Sequence, residues 1–188
     1  GRPQSVTWIA EHVPALLEVF HPGMLGGQAV AEALFGVINP GGGLPYTVPS
    51  SVGQLRAIYN HRPADYFRRY RLTPNEPLYP FGFGLSYTTF SITNLKISAA
   101  QVKVGNAVTV TVDVTNTGKV AGDEVVQLYI HQKSGSDSRP MRELKGFERV
   151  PLQPGETKTV QLRVPFSRLA YYDETRADFV VEPLEYEL

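Results

Sequence analysis

Cysteine is absent from all 188 residues, which excludes a disulfide framework and a thiolate zinc site and leaves the redox compartment unmarked by sulfur. An excess of either charge is absent too. Eighteen basic and eighteen acidic side chains cancel, so no bulk field favours nucleic acid or an anionic membrane, and neither is expected as a partner. No apolar run approaches the roughly 20 residues of a spanning helix, and no basic-then-apolar leader opens the chain. There is no Asn-x-Ser/Thr acceptor, so glycosylation carries no information about location. The chain opens on Gly1-Arg2-Pro3 without a methionine, which suggests a piece of a longer polypeptide or a processed start.

What is present is core material. Hydrophobic residues make up 42% and charged residues 19%, a balance that folds and that leaves room for one or two cores at this length. Two halves with different periods divide the chain. In the first, Ser5 is placed to cap a helix over about 6–13 that Pro14 ends. The run 15–20 then reads as a buried strand or a turn of helix starting at Pro14. GGQAVAEALFG, residues 26–36, sets Ala29, Val30, Ala33 and Leu34 on one helical stripe that Gly36 terminates. NPGGGLPYTVP, 39–49, reads as a turn into a short extended segment. Strand, helix, strand is an α/β layer.

From Phe90 the period becomes two. AVTVTVDV, 107–114, puts Val108, Val110, Val112 and Val114 on one face. Asn116-Thr117-Gly118 supplies a turn, and 124–132, 157–164 and 178–188 repeat the strand signal. These point to an antiparallel β-sandwich of about 100 residues. The expected fold class is therefore α/β plus all-β, with domains at 1–89 and 90–188.

Candidate chemistry is thin. Gly82-Phe83-Gly84-Leu85-Ser86-Tyr87 begins like a dinucleotide fingerprint but has Tyr87 at the third glycine, and Gly41-Gly42-Gly43 lacks the lysine of a P-loop. The histidines at 12, 21, 61 and 131 have no metal-ligand spacing. No Gly-x-Ser-x-Gly elbow exists. The adjacent pairs Asp123-Glu124 and Asp173-Glu174 would point to opposite faces of a strand, so they are poor candidates for the paired carboxylates of glycoside hydrolysis. In HRPADYFRRYR, 61–71, Arg62, Arg68, Arg69 and Arg71 alternate with Tyr66, Phe67 and Tyr70. Such a mixture stacks on sugars or bases, or pairs with a neighbouring domain, and zero net charge favours the second. LYPFGFGLSY, 78–87, is uncharged and rich in rings. At the seam between the halves, Tyr79, Phe81, Phe83 and Tyr87 are expected to fill the space between layers, so that deleting the Phe83 ring costs ~3–5 kcal/mol.

Taken in order, Gly1-Arg2-Pro3, HPGMLGGQAVAEALFGVINPGGGLPYTVP at 21–49, PLYPFGFGLSYTTF at 77–90, VTNTGKVAGDEVVQLYI at 114–130 and RPMRELKGFERVPLQPGET at 139–157 resemble the carboxy-terminal part of glycoside hydrolase family 3, over essentially the whole chain. Met24-Leu25, Gly43 and Leu184 depart from the family pattern. The resemblance implies the end of an α/β sandwich domain followed by a fibronectin type III-like domain. It also implies retaining hydrolysis of terminal β-linked sugars, with β-glucosides ahead of β-xylosides. The aspartate nucleophile and glutamate acid/base it implies lie earlier in such proteins, and no position here matches either. No catalytic, cofactor-binding or metal residue is therefore assigned, and no cofactor. The implied partners are the amino-terminal barrel and α/β portion, covalent or as a separate chain, and a β-linked oligosaccharide or glucoside. A secreted or periplasmic location is slightly favoured.

Two other readings stand beside this one. A carbohydrate-binding or adhesion module would draw on Tyr129, Tyr171, Tyr172 and Tyr186, though Tyr171 and Tyr172 are adjacent and their spacing makes no platform. Alternatively the chain is one part of a two-chain enzyme, in which case the first half should leave apolar faces uncovered.

Overall fold

A computed structural model describes residues 4–54, 57–61, 75–133 and 139–188. Gly1-Arg2-Pro3 and the arginine-rich stretch 62–71 lie outside the described residues. The chain divides into two compact units. The first holds described residues 4–54, 57–59 and 75–87; the second holds 60–61, 88–133 and 139–188.

The first unit carries both α-helices of the described residues, α1 (Thr7–His12) and α2 (Gly26–Leu34). α1 ends before Pro14, as proline's restriction on its predecessor requires, but Val6 occupies the cap position and no side chain caps it. The Ser5 hydroxyl is engaged elsewhere, donating to the Ser50 carbonyl at 3.1 Å beside Thr7, which donates to the same oxygen at 2.6 Å. α2 ends as its sequence dictates. Gly36 adopts φ +73°, and Val37 and Gly36 return their N–H groups to Glu32 and Ala33, closing a Schellman motif that needs a left-handed residue at that point.

The run 15–20 forms no ladder. A single bridge, Val48 to Tyr79, is the β pairing recorded in this unit's described residues, and Leu16, Leu17, Val19 and Phe20 are exposed. A strand requires a hydrogen-bonding neighbour as well as an apolar sequence, and none of the described residues supplies one here.

The second unit is a β-sandwich. β1 (Phe90–Ile97), β2 (Ala107–Asn116) and β5 (Thr157–Pro165) form one antiparallel sheet in the order β1-β2-β5. β3 (Gly122–Gln132), β4 (Glu143–Leu152) and β8 (Tyr186–Glu187) form the other in the order β4-β3-β8. A short hairpin, β6 (Tyr171–Asp173) with β7 (Asp178–Val180), stands apart. The alternation read at 107–114 has its physical basis in the core. Val110, Val112 and Val114 of β2 join Val160, Leu162 and Val164 of β5, and they cluster with Val126, Leu128 and Ile130 of β3 and Val150 and Leu152 of β4. Inward side chains at every second position from two sheets bury one another, while the intervening residues stay outside.

One strand expectation needs correction. Residues 178–188 are not one strand, because Glu182-Pro183 separates β7 from β8 and proline cannot donate to a ladder. β4 is not among the strands read from the sequence, because it has no simple alternation: a register shift beside Leu128 and Tyr129 faces its Gly146 end, and Glu148 occupies a position in the inward series.

Candidate functional site

The uncharged stretch 78–87 lies entirely in the first unit and is tied to 39–48 of the same unit. Gly82 N–H donates to the Leu44 carbonyl and Leu44 N–H to the Phe83 carbonyl, each at 2.8 Å. Val48 and Tyr79 exchange a second pair at 2.8 and 3.3 Å. The backbones approach so closely that a Cβ on Gly43 would sit 2.7 Å from the Gly82 carbonyl oxygen, and one on Gly84 would run into that of Gly42. With glycine at both positions the two backbones approach this closely without displacing a neighbour. Asn39 fastens the far end: its Oδ1 accepts from Ser86 Oγ at 3.0 Å and from Tyr87 N–H at 2.8 Å. The Tyr87 hydroxyl reaches the Ala33 carbonyl at the end of α2, at 2.7 Å.

The rings pair off rather than merge into one buried mass. Tyr59 stacks on Phe81 with centroids 4.3 Å apart, and Tyr79 on Phe83 at 5.1 Å. Phe83 remains 38% exposed, so the expected deep burial of this ring is not what the structure has. The stretch is a clasp on the 39–48 loop. It carries no acid or base, and four of its rings are engaged with aromatic or backbone partners.

The carboxylates singled out by sequence are dispersed. Asp123 pairs with Arg149 at 2.7 Å on the sandwich surface. Its neighbour Glu124 is half-buried, and desolvation raises its carboxyl above the usual range, opposed by the Val125 N–H. Asp173 is a turn residue whose Oδ1 accepts from the N–H groups of Thr175 and Arg176. No three of His, Cys, Asp and Glu gather as a metal site among the described residues. His12 is stacked on Trp8 at 4.5 Å, and the His131 Nδ1 is buried with no hydrogen-bond partner among the described residues.

The tyrosines do not line up. Tyr171 is buried beneath the Arg139 guanidinium, 4.2 Å from its ring. Tyr172 is edge-on to Phe179 at 5.5 Å. The Tyr129 hydroxyl donates to Gln127, and that of Tyr186 to the Glu182 carbonyl. No flat open row of rings results, which is what a polysaccharide platform needs.

Sequence reasoning missed one residue of consequence. Asn116 is fully buried. Its Nδ2 donates to the carbonyls of Val120 and Leu152, at 2.8 and 3.2 Å. Its Oδ1 accepts from Thr88 Oγ1 at 2.7 Å and from Gly118 N–H at 3.1 Å. The signal in the sequence, Asn-Thr-Gly after a valine strand, reads as a turn. Its partners at Thr88 and Leu152 are far off in the chain and invisible to local reading.

Residues 1–87 match the Glycosyl hydrolase family 3 C-terminal domain, and residues 124–188 match the Fibronectin type III-like domain. A β-xylosidase of Formosa agariphila is 46% identical over 187 residues, covering 97% of this chain and 26% of that protein. A periplasmic β-glucosidase of Salmonella typhimurium is 41% identical over 184 residues, covering 93% of this chain and 24% of that protein. Among solved structures, a β-glucosidase from Erythrobacter marinus superposes with a TM-score of 0.94 at 43% identity, covering 99% of this chain and 24% of its own. A Listeria innocua β-glucosidase in complex with glucose gives a TM-score of 0.86 at 37% identity, covering 96% of this chain and 26% of its own. The chain thus spans about a quarter of the length of the relatives it matches. From the two domain matches and these relatives, the chain belongs to glycoside hydrolase family 3 and constitutes a carboxy-terminal segment of that family's β-glucosidase and β-xylosidase type.

Proposed function

We propose that this chain is the structural carboxy-terminal segment of an exo-acting, retaining β-glycosidase, acting on terminal β-glucosides ahead of β-xylosides. Residues 1–89 complete an α/β sandwich domain, and 90–188 form the fibronectin type III-like domain. The nucleophile and the acid/base come from the amino-terminal barrel and α/β portion, with which this segment is joined or associated. The observation that carries the reading is the apolar surface of the first unit. Trp8 of α1, Leu16 and Leu17 of the unpaired run, and Leu34 and Phe35 at the end of α2 are all exposed. That much apolar surface over short helices and an unpaired run is what remains of a layered α/β domain when its other strands and helices are elsewhere.

Retaining hydrolysis passes through a covalent glycosyl-enzyme formed by one carboxylate while a second, about 5–5.5 Å from it, moves the proton. The carboxylates of this chain discussed above serve an ion pair, a turn and a half-buried strand position instead. The test is turnover of chromogenic β-glucoside and β-xyloside by the purified 188-residue chain. It is assayed alone and after mixing with the part of the Formosa agariphila β-xylosidase that precedes its matching region. No turnover alone and a gain on mixing are expected. Hydrolysis by the chain alone would refute the reading.

A further inference from the structure

The two outer faces of the sandwich are chemically unlike. On the β1-β2-β5 sheet the register places Thr93, Asp113 and Thr159 in one row and Lys96, Thr111 and Gln161 in the next. Asp113 is taken up there by hydrogen bonds from Asn94 and Thr159, at 2.8 and 2.7 Å. Short hydroxyls and charges satisfied within the sheet make these two rows suited to water, while the exposed aliphatic residues of this sheet, Ile92, Leu95 and Ile97, lie on its edge strand β1 outside them.

On the β4-β3-β8 sheet, Val126, Leu128 and Ile130 point into the core, so the alternate residues of β3 point out. The register sets Val125 opposite Arg149, Gln127 opposite Phe147 and Tyr129 opposite Leu144. Phe147 is 68% exposed, with Val125 and Tyr129 as its diagonal neighbours across the strands. The Arg142 guanidinium lies over the Tyr129 ring, 5.8 Å from its centroid. A phenylalanine standing open among valine, leucine, tyrosine and arginine is the composition of an interface centre, where aromatic residues and arginine are enriched.

The occupant can be narrowed by chemistry. A glucan or xylan chain stacks on two or more open, coplanar rings. Here Tyr129 is covered by Arg142 and its hydroxyl is spent on Gln127, which leaves Phe147 as one open ring. A single apolar knob within an arginine-flanked face suits a protein pocket. The chain spans about a quarter of its relatives, and the rest of such a protein is the protein surface it must accompany. We propose that the outer face of the β4-β3-β8 sheet, centred on Phe147, docks against the catalytic portion of a family 3 enzyme. This rests on the function proposed above.

The absence of cysteine makes the test direct. Phe147→Cys and Thr159→Cys, on opposite faces, are each labelled with a maleimide in two settings and followed by peptide mass spectrometry. One setting is the 188-residue chain. The other is a chimera in which this chain replaces the matching quarter of the Formosa agariphila β-xylosidase. Labelling at 147 should slow at least about tenfold in the chimera, as solvent is excluded from an interface centre, while labelling at 159 is unchanged. Arg149→Cys, on the same face, gives a second reading if Phe147→Cys fails to fold. Equal rates at 147 in both settings overturn the proposal. So does protection of 147 in the isolated chain that deepens with chain concentration, which assigns the face to a second copy, or protection by added cello- or xylo-oligosaccharide, which assigns it to sugar. Hydrolysis of aryl β-xyloside by the chimera separates the two failures. An active chimera with 147 unprotected refutes the face alone, and a folded but inactive one refutes the function as well.

Discussion

Replacing Asn116 by leucine, a side chain of similar size, should cost the sandwich about 3–5 kcal/mol. The magnitude follows from the groups left behind. Without the amide, the carbonyls of Val120 and Leu152 lose their donor, and the Thr88 hydroxyl and Gly118 N–H lose their acceptor. A net hydrogen bond contributes about 1 kcal/mol, and a buried group left unpaired costs about 1–3. The bonds to Thr88 and Leu152 are buried, whereas those to Val120 and Gly118 are part-buried and water can replace them in part, so two groups at the full cost and two at a fraction of it come to about 3–5 kcal/mol. It is a large share of the ~5–15 kcal/mol that holds a domain together. Thr88 is the first residue of the second unit after Tyr87, so the loss also frees the point where the chain enters the sandwich. The assay is urea unfolding followed by far-ultraviolet circular dichroism, which reports the strands; the single tryptophan, Trp8, belongs to the first unit and serves as an internal comparison. Thr88→Val should cost about 1 kcal/mol in the native background and almost nothing beside Asn116→Leu, because the bond it removes is already gone. An Asn116→Leu protein within about 0.5 kcal/mol of the parent, or a Thr88→Val cost that is the same in both backgrounds, would refute the reasoning.

Three further outcomes are expected. Phe83→Ala should cost only about 1 kcal/mol of the first unit's stability, the scale of one aromatic contact, because the ring is 38% exposed and, among the described residues, stacks on Tyr79 alone; a loss near 4 kcal/mol in a thermal melt followed by Trp8 fluorescence would restore the deep-burial reading. Gly43→Ala should destabilise the same unit by about 1–3 kcal/mol through overpacking, since the new methyl would stand 2.7 Å from a backbone oxygen that cannot swing aside; an unchanged melt would show that the loop yields. The Asp113 carboxyl should titrate below its ordinary range by nuclear magnetic resonance, because the Asn94 amide and then the Thr159 hydroxyl favour its ionised form. A lowered folded-state pKa stabilises the fold above the ordinary aspartate value and ceases to do so as pH falls through the lowered one, so Thr159→Val should raise the titration midpoint and reduce acid resistance; no movement of the midpoint would contradict the assignment.

Much of the sandwich was legible because its strands repeat a local pattern that burial then enforces. The valines at 110, 112 and 114 read as one face and form one face. α2 was legible for a similar reason, a stripe closed by a glycine that adopts the left-handed conformation. Pairing is not local, and there the reading ran out. The run 15–20 has a strand's composition without a partner among the described residues. β4 hides its inward series behind Gly146, a register shift and Glu148, and Pro183 splits what looked like one terminal strand. The aromatic stretch showed that rings gather but not that they pair as Tyr59 with Phe81 and Tyr79 with Phe83. At the level of chemistry, the dispersed carboxylates could be read from spacing, since neighbours on a strand diverge. The Asn116 hub could not, because Thr88 and Leu152 reach it only through the fold.

The central claim is that this chain supports a glycosidase without supplying its reacting groups. The most direct test is covalent trapping with an activated 2-deoxy-2-fluoro-β-glycoside, which accumulates the glycosyl-enzyme on whichever carboxylate attacks. It is applied to the active chimera with the Formosa agariphila β-xylosidase and followed by peptide mass spectrometry. The expected result is one adduct on the portion preceding this chain and none within residues 1–188. An adduct on any aspartate or glutamate of this chain, from Glu11 to Glu187, would contradict it.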